Sequence, residues 1–231
     1  SDQLLLEGSE AHHLLHVLRM QAGDSVLIFN GTGAEAEAVI AKTSRKTVEI
    51  KITERREIQA STQVPVILAT AVPKGDRFRW LVEKAAELGV TRLVPLITER
   101  SSVDPGENRL KKLQQTIVAA AKQSGQTRLM ELAPQQKWDD FLAECCQSDH
   151  RILIADPGGS ALDLFSRSFT DSVASPVILL IGPEGGFSPE ELQSAIETGA
   201  KSVKLSEGIL RIETAAILFA GLVCLALNQT E

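Results

Sequence analysis

The sequence predicts an α/β protein, a parallel sheet with helices on both faces, joined to a small β-rich unit at the start of the chain. From Val64 onward, short apolar runs alternate with amphipathic helical stretches, the pattern of strands whose crossover helices cover both faces of a parallel sheet. Val177-Ile178-Leu179-Leu180-Ile181 is an unbroken apolar run, as expected of a strand buried on both sides. Residues up to about Arg56 instead show brief strand-like runs punctuated by Gly and Asn. With 231 residues, 43% of them hydrophobic, the chain can bury a sizeable core and hold two domains, which we set at 1–60 and 61–231.

In the first unit the sequence predicts a short amphipathic helix over His12–Met20, then strands over Asp24–Phe29, Glu35–Ile40 and Thr47–Ile52. Asn30-Gly31 is a hairpin signal, and a compact barrel fits the meander. Lys42, Arg45, Lys46, Lys51, Arg55 and Arg56 outnumber Glu49 and Glu54 there, which reads either as a nucleic-acid patch or as a solvated strand face. Glu57–Gln63 is polar and aperiodic, hence a linker. The second unit then runs as strand Val64–Val72, helix Arg77–Leu88 capped by Asp76 and ended by Gly89, strand Arg92–Thr98, and helix Glu107–Ser124 stopped at Gly125. Further strands are expected near Arg128–Leu132, Arg151–Ala155, Val177–Ile181 and Ser202–Leu205. The final helix, Ile212–Leu227, is apolar nearly all round. Such a helix is buried on every side, which predicts a homodimer packed through it.

The organising stretch is the one that leaves the Val177–Ile181 strand. It passes through Gly182-Pro183-Glu184-Gly185-Gly186 and restarts as a helix at Ser188, with Pro189 at the first helical position and Glu191 completing a capping box. Strand, glycine loop and helix in that order put the loop at the carboxyl end of a strand, where open α/β sheets bind ligands. Glu184 in the loop argues against a polyphosphate, and no P-loop or Gly-x-Gly-x-x-Gly pattern is present. A ligand with hydroxyls, an amine or a positive centre suits it better; the alternative is a tight turn whose glycines serve only the backbone. A second loop, Leu205-Ser206-Glu207-Gly208-Ile209-Leu210-Arg211, also leads from a strand into a helix, and we expect the two loops side by side at one sheet edge.

The composition restricts the choices. A net charge of −6 is unusual for a nucleic-acid binder, so any such contact must use local basic patches. Three cysteines, two of them adjacent, form no disulfide framework and fit a reducing cytoplasm. No secretory signal is visible. The uncharged run Ala215–Leu227 is thirteen residues long, too short for a membrane span. His12 and His16 have metal-compatible spacing but no third ligand, so no metal is expected.

Taken together the two loops resemble those of the SPOUT class of S-adenosylmethionine-dependent RNA methyltransferases, and within it the RsmE family, which methylates N3 of a uridine in small-subunit (16S) ribosomal RNA. The family's Ile-Gly-Pro-Glu-Gly-Gly-Phe-Ser matches Ile181–Ser188, and its Ile-Leu-Arg-x-Glu-Thr-Ala matches Ile209–Ala215. Lys-Gly-Asp-Arg at Lys74–Arg77, Glu-Leu-Gly-Val at Glu87–Val90 and the His-His-Leu…Val-Leu-Arg pattern at His12–Arg19 extend the similarity over nearly the whole chain. The resemblance implies a C-terminal trefoil-knotted domain, a PUA-like RNA-binding domain before it, a dimer, and a bent methyl donor held by the two loops. The donor contacts it implies are Leu180, Ile181, Gly182, Pro183, Glu184 and Gly185 from the first loop. From the second they are Leu205, Ser206, Ile209, Leu210, Thr214 and Ala215. RNA contacts are expected at Arg19, Arg45, Lys46, Lys74, Arg77 and Arg100. The chain departs from the family pattern at Ser206-Glu207-Gly208, where an acid enters and an Arg is absent, and at Lys122 and Gln126 around Gln123-Ser124-Gly125.

Methyl transfer to N3 needs the nucleophile placed in line with the methyl carbon, and the N3 proton must leave. Arg211, at the head of the last helix, is the expected cation for the uracil anion; the competing role is a surface pair with Glu213 or Glu207. Glu213 is the expected donor-orienting or proton-accepting group; the competing role is a first-turn carboxylate on the helix dipole. Two other functions remain open at this point: methylation at another RNA position such as a ribose 2′-hydroxyl, and an RNA- or ribosome-binding protein without catalysis.

Overall fold

A computed structural model of the chain describes residues 2–57, 64–147, 149–161 and 175–228. The chain divides into two compact units, Ser1–Thr62 and Gln63–Glu231. Of the expected linker Glu57–Gln63, residues 58–63 lie outside the described residues.

The first unit is built on strands β1 (Gln3–Leu6), β2 (Ser25–Phe29), β3 (Ala34–Thr43) and β4 (Val48–Glu57), antiparallel in the order β1-β4-β3-β2. The barrel wall expected from the meander takes the form of this four-stranded sheet, and β1 adds a strand that the sequence pattern did not reveal. The β2–β3 turn is closed by the Asn30 side-chain oxygen, which accepts from Thr32 N–H at 2.8 Å and Ala34 N–H at 3.2 Å, the local bonding that favours Asn in turns. The expected helix starts earlier and ends sooner than its periodicity suggested. It begins as α1 (Gly8–His12) and widens into a π-helical turn over His13–Val17, where Leu18 N–H donates to the His13 carbonyl. Arg19 then takes a φ of 56°, which stops the helix before Met20. Ala11, Ala38, Ile40, Val48 and Ile50 make this unit's core.

In the second unit the strands are β5 (Val66–Ala71), β6 (Arg92–Ile97), β7 (Glu131–Leu132), β8 (Gln136–Lys137), β9 (Arg151–Ser160), β10 (Val177–Ile181) and β11 (Lys201–Val203). Every neighbouring pair is parallel, in the order β11-β9-β10-β5-β6-β7, with β8 also on β6. The helices are α2 (Arg77–Glu87), α3 (Glu107–Ser124), α4 (Trp138–Cys145), α5 (Pro189–Glu197) and α6 (Ile212–Asn228). Alternation along β10 shows why it is apolar throughout. Val177, Leu179 and Ile181 pack with Phe78, Leu81, Ile117 and Phe219 of α2, α3 and α6, whereas Ile178 and Leu180 pack with Trp138, Phe141 and Ala195 of α4 and α5. The result is three layers with β10 in the middle.

Several expectations need correction. Asp76 occupies the N-cap position of α2 but makes no side-chain capping bond, because its own backbone is already helical (φ −72°, ψ −9°). The strand expected at Arg128–Leu132 becomes the two short pieces β7 and β8, separated by a stretch containing Pro134, which has no N–H to offer a ladder. β10 and β11 are not neighbours, since β9 lies between them. α6 is not buried on every side within one chain: Leu218 and Leu225 are 37% and 51% exposed. Among the described residues no helix is long and apolar enough to cross a membrane.

Burial also governs the thiols. Desolvation, with the neighbouring Glu144 carboxylate, pushes Cys145 from an ordinary 9.0 up to about 12, and desolvation pushes Cys224 up to about 11. Both stay protonated at neutral pH. An unfolded chain releases these protons from about pH 9, so their contribution to stability is present below that value and is lost as pH rises through about 11 to 12. At pH 8 we expect an alkylating reagent to modify the exposed Cys146 alone, with Cys145 and Cys224 reacting only on denaturation. Counting adducts by intact-mass spectrometry checks this; rapid labelling of all thiols in the native protein would contradict it.

Candidate active site

The carboxyl ends of β9, β10 and β11 open into a cleft of about 360 Å³, within the size range of small-molecule sites. Its lining comes from Ala155, Asp156 and Pro157 within β9 and from the segments that follow β10 and β11. Ile181, Leu205, Ile209, Leu210, Ile212 and Phe187 supply apolar wall, Ser206 a hydroxyl, and Asp156 and Glu184 the charges; among the described residues no Lys, Arg or His belongs to the lining. A cleft with two carboxylates and no cation suits a cationic or hydroxyl-bearing ligand and repels a polyphosphate.

The loop after β10 is held from outside. Gly186 adopts φ +70°, and its N–H donates to the Pro183 carbonyl at 2.8 Å, a turn open to glycine because it lacks a Cβ. A side chain on Gly182 would meet the Phe187 ring at 3.1 Å, so that ring folds directly over the loop's entry. On its other side Phe187 packs against Trp138, with centroids 4.9 Å apart. The expected capping box is present: Ser188 Oγ accepts from Glu191 N–H at 3.3 Å, and Glu191 Oε2 accepts from Ser188 N–H at 2.9 Å. Glu191 Oε1 accepts from Glu99 N–H at 2.7 Å, tying the box to the turn that follows β6. From that turn Arg100 reaches across, donating to the Gly185 carbonyl at 2.8 Å and approaching the Phe187 carbonyl at 3.4 Å.

Arg77 joins the β10 loop to the head of α6. Its guanidinium lies 3.6 Å from Glu184 and 3.4 Å from Glu213, and its Nε donates to the Lys74 carbonyl at 3.2 Å. Glu213 is 7% exposed, and its second oxygen, Oε2, has no hydrogen-bond partner among the described residues. Leaving such an atom unpaired is costly. Arg211 is exposed and forms no ion pair with another described residue. Glu213 is taken by Arg77 and Glu207 by Lys204 at 2.7 Å. The surface pairs considered for Arg211 are thus absent among the described residues.

Of the expected donor contacts, the structure gathers Ile181, Gly182, Pro183, Glu184, Gly185, Leu205, Ser206, Ile209, Leu210 and Ala215 around the cleft. Leu180 is not among them. Alternation turns its side chain into the core beneath α4 and α5, where it is 0% exposed. Thr214 sits on the exposed side of the first turn of α6, outside the lining. Arg100 and Arg77, expected to meet RNA, make contacts to the β10 loop and the head of α6. Arg19, Arg45 and Lys46 are exposed in the first unit, the last two on the Ser44–Thr47 turn, and Lys74 is exposed in the second. Pattern reading missed the wall formed by Ala155, Asp156 and Pro157. Its signal was available: Asp156-Pro157-Gly158-Gly159 is turn chemistry directly after a predicted strand. Among the described residues no group of His, Cys, Asp and Glu is arranged to hold a metal.

Fold and cleft together define an α/β ligand-binding domain in a chain that also carries a small β unit, and comparison with known proteins is specific. Residues 60–224 match the RNA methyltransferase domain, and residues 6–53 the RNA methyltransferase PUA domain. The ribosomal RNA small subunit methyltransferase E of Synechocystis sp. is 30% identical over 212 residues, 91% of this chain and 69% of that protein. The ribosomal RNA small subunit methyltransferase E from Neisseria gonorrhoeae, bound to S-adenosyl methionine, superposes with a TM-score of 0.82 at 25% identity, covering 94% of this chain and 89% of that one. A putative methyltransferase from Legionella pneumophila, in complex with the cofactor SAM, gives 0.81 at 29% identity, covering 97% and 92%. The chain belongs to the ribosomal RNA small subunit methyltransferase E family of RNA methyltransferases.

The clamp on the β10 loop makes a quantitative expectation. Ser188→Ala removes one capping bond, a loss of about 1 kcal/mol. Glu191→Ala leaves the N–H groups of Glu99 and Ser188 without acceptors and should cost roughly 2 kcal/mol or more. Urea denaturation of both variants compares them, and an equal or smaller loss for Glu191→Ala would contradict the two-sided clamp.

Proposed function

We propose that the protein methylates N3 of a uridine in 16S ribosomal RNA of the small subunit, with S-adenosylmethionine as donor bound in the cleft. The observation that carries this is the joint lining of one acidic, otherwise apolar cleft by the segments following β10 and β11. The solved relatives named above hold the same donor on the same fold.

When bound, the donor supplies a methyl group on a positively charged sulfur. The chain's residues do the rest. Ile181, Leu205 and Leu210 exclude water from the cleft, so that charges within it act strongly. Glu184, steadied by Arg77, and Asp156 bias the cleft toward a positive ligand. Arg211, unpaired among the described residues, stands at the start of α6 as the cation for the uracil anion that forms as N3 loses its proton. The open Oε2 of Glu213 is the acceptor for that proton or for a donor N–H. With the N3 proton taken by that acceptor and the anion held by Arg211, the base would be ready to receive the methyl group that the donor would supply.

RNA contact in this proposal falls to Arg19, Arg45 and Lys46 of the first unit and Lys74 of the second, all exposed. Such local basic groups suffice on an acidic chain because phosphate contacts act over a short screened range. The protein works in the cytoplasm as a homodimer, with the last segment knotted. The partly exposed apolar side chains Leu218 and Leu225 on α6 support the dimer.

Titration calorimetry with S-adenosylmethionine tests the core of the proposal, and nucleoside digestion of 16S RNA from a deletion strain should reveal one missing N3-methyluridine. No donor binding would favour a non-catalytic RNA-binding role. Arg211→Ala should lower turnover about a hundredfold, the size of a lost oxyanion-type contact, with donor affinity unchanged; an unaffected rate removes its role. Gel filtration at micromolar concentration should give a dimer, and Leu225→Glu should give a monomer; a monomeric unaltered protein would refute the packing through α6.

A further inference from the structure

One wall of the cleft has an unusual construction. Along the β9–β11 ladder, Ser202 lies opposite Ile154, yet the next residue, Val203, lies opposite Ser160. Residues 155–159 therefore leave a ladder that closes again beyond them. Excursions of this kind re-aim side chains and are favoured beside functional sites. The return is tight: a Cβ on Gly159 would stand 2.6 Å from Ser202 Oγ and 2.7 Å from Val203 N, so only glycine lets the two backbones meet.

The excursion presents Asp156 at the cleft and fixes it there. Its Oδ1 accepts from Gly158 N–H at 3.0 Å, and its Oδ2 accepts from the Ser202 hydroxyl at 2.7 Å. Each oxygen keeps a lone pair beyond these bonds. The other acid of the lining, Glu184, has Arg77 at 3.6 Å, whereas Asp156 forms no ion pair with another described residue. It is thus an oriented carboxylate, uncompensated among those residues, in a cleft whose walls are otherwise mostly apolar.

We propose that Asp156 is a recognition residue for the methyl donor, accepting a hydrogen bond from the donor's ribose hydroxyls or its ammonium group. This rests on the cleft being the donor site. The charge of Asp156 is what distinguishes recognition from turn-making. An asparagine keeps the Gly158 N–H acceptor and a polar group for Ser202, and so preserves the turn, but it loses the charged acceptor, whose bonds are the stronger kind.

Calorimetry on the full chain, unaltered and as Asp156→Asn, separates the outcomes, with S-adenosylmethionine and methylthioadenosine as the probes. Methylthioadenosine keeps the ribose and lacks the ammonium. Asp156→Asn should weaken S-adenosylmethionine binding by about tenfold or more at nearly unchanged Tm. An equal loss for methylthioadenosine assigns the contact to the ribose; an unchanged affinity for it assigns the contact to the ammonium. Either result supports the proposal. If Asp156→Asn does not fold, Asp156→Ser, whose hydroxyl can also cap the turn, is measured in its place. Full S-adenosylmethionine affinity in the substituted protein would overturn the assignment alone. No binding of S-adenosylmethionine by the unaltered protein would overturn the donor-site reading and the assignment with it.

Discussion

The Glu191 carboxylate lies in the interior, 7% exposed, with one oxygen on the N–H of Glu99 and the other on the N–H of Ser188. A buried carboxylate is tolerated only when its oxygens are satisfied, and here both satisfying groups are backbone. The consequence reaches past the helix it caps. Because Glu99 is fixed, its neighbour Arg100 is delivered to the carbonyls of Gly185 and Phe187. A loop rich in glycine has much conformational freedom to lose, and this chain of bonds removes it before a ligand arrives. The shape of the cleft therefore depends on one side chain that does not line it.

Arg77 performs a related task. It stands between Glu184 on the β10 loop and Glu213 at the head of α6, so that the segments after β10 and β11 are linked through a single cation. With Glu213 held at one oxygen and open at the other, and Arg211 directed to no described acid, the charges near the cleft are unevenly matched. Imbalance of this sort is unfavourable in a resting fold and useful where charge develops during reaction. The net charge of −6 is no obstacle to local basic groups, since Asp156 and Glu184 line the cleft while the exposed bases Arg19, Arg45, Lys46 and Lys74 are not part of that lining.

Much was legible in the sequence, and for local reasons. The Ser188-Pro189-Glu190-Glu191 start of α5, the ends of α3 and the bounds of β10 follow from capping chemistry and apolar runs, which act between residues close along the chain. The motifs at Ile181–Ser188 and Ile209–Ala215, with Leu205 and Ser206 just before the second, likewise placed ten of the expected contacts around the cleft. What local pattern did not show was of another kind. Leu180 belongs to the same run as Ile181, and only the side of the sheet it faces separates a core residue from a lining one. Arg77 and Arg100 look like surface charges until the carboxylates and carbonyls they meet are brought from other segments.

By itself, then, the sequence determined the alternation of strands and helices and the two glycine loops that form most of the cleft lining, because these rest on backbone preference and short-range periodicity, and it pointed to the family through the resemblance of its motifs. Tertiary structure alone decided that β9 stands between β10 and β11, that Asp156 enters the wall, and that two arginines hold loops. Strand order and long-range hydrogen bonds join residues dozens of positions apart, and no local pattern encodes which distant groups will satisfy one another once water is excluded.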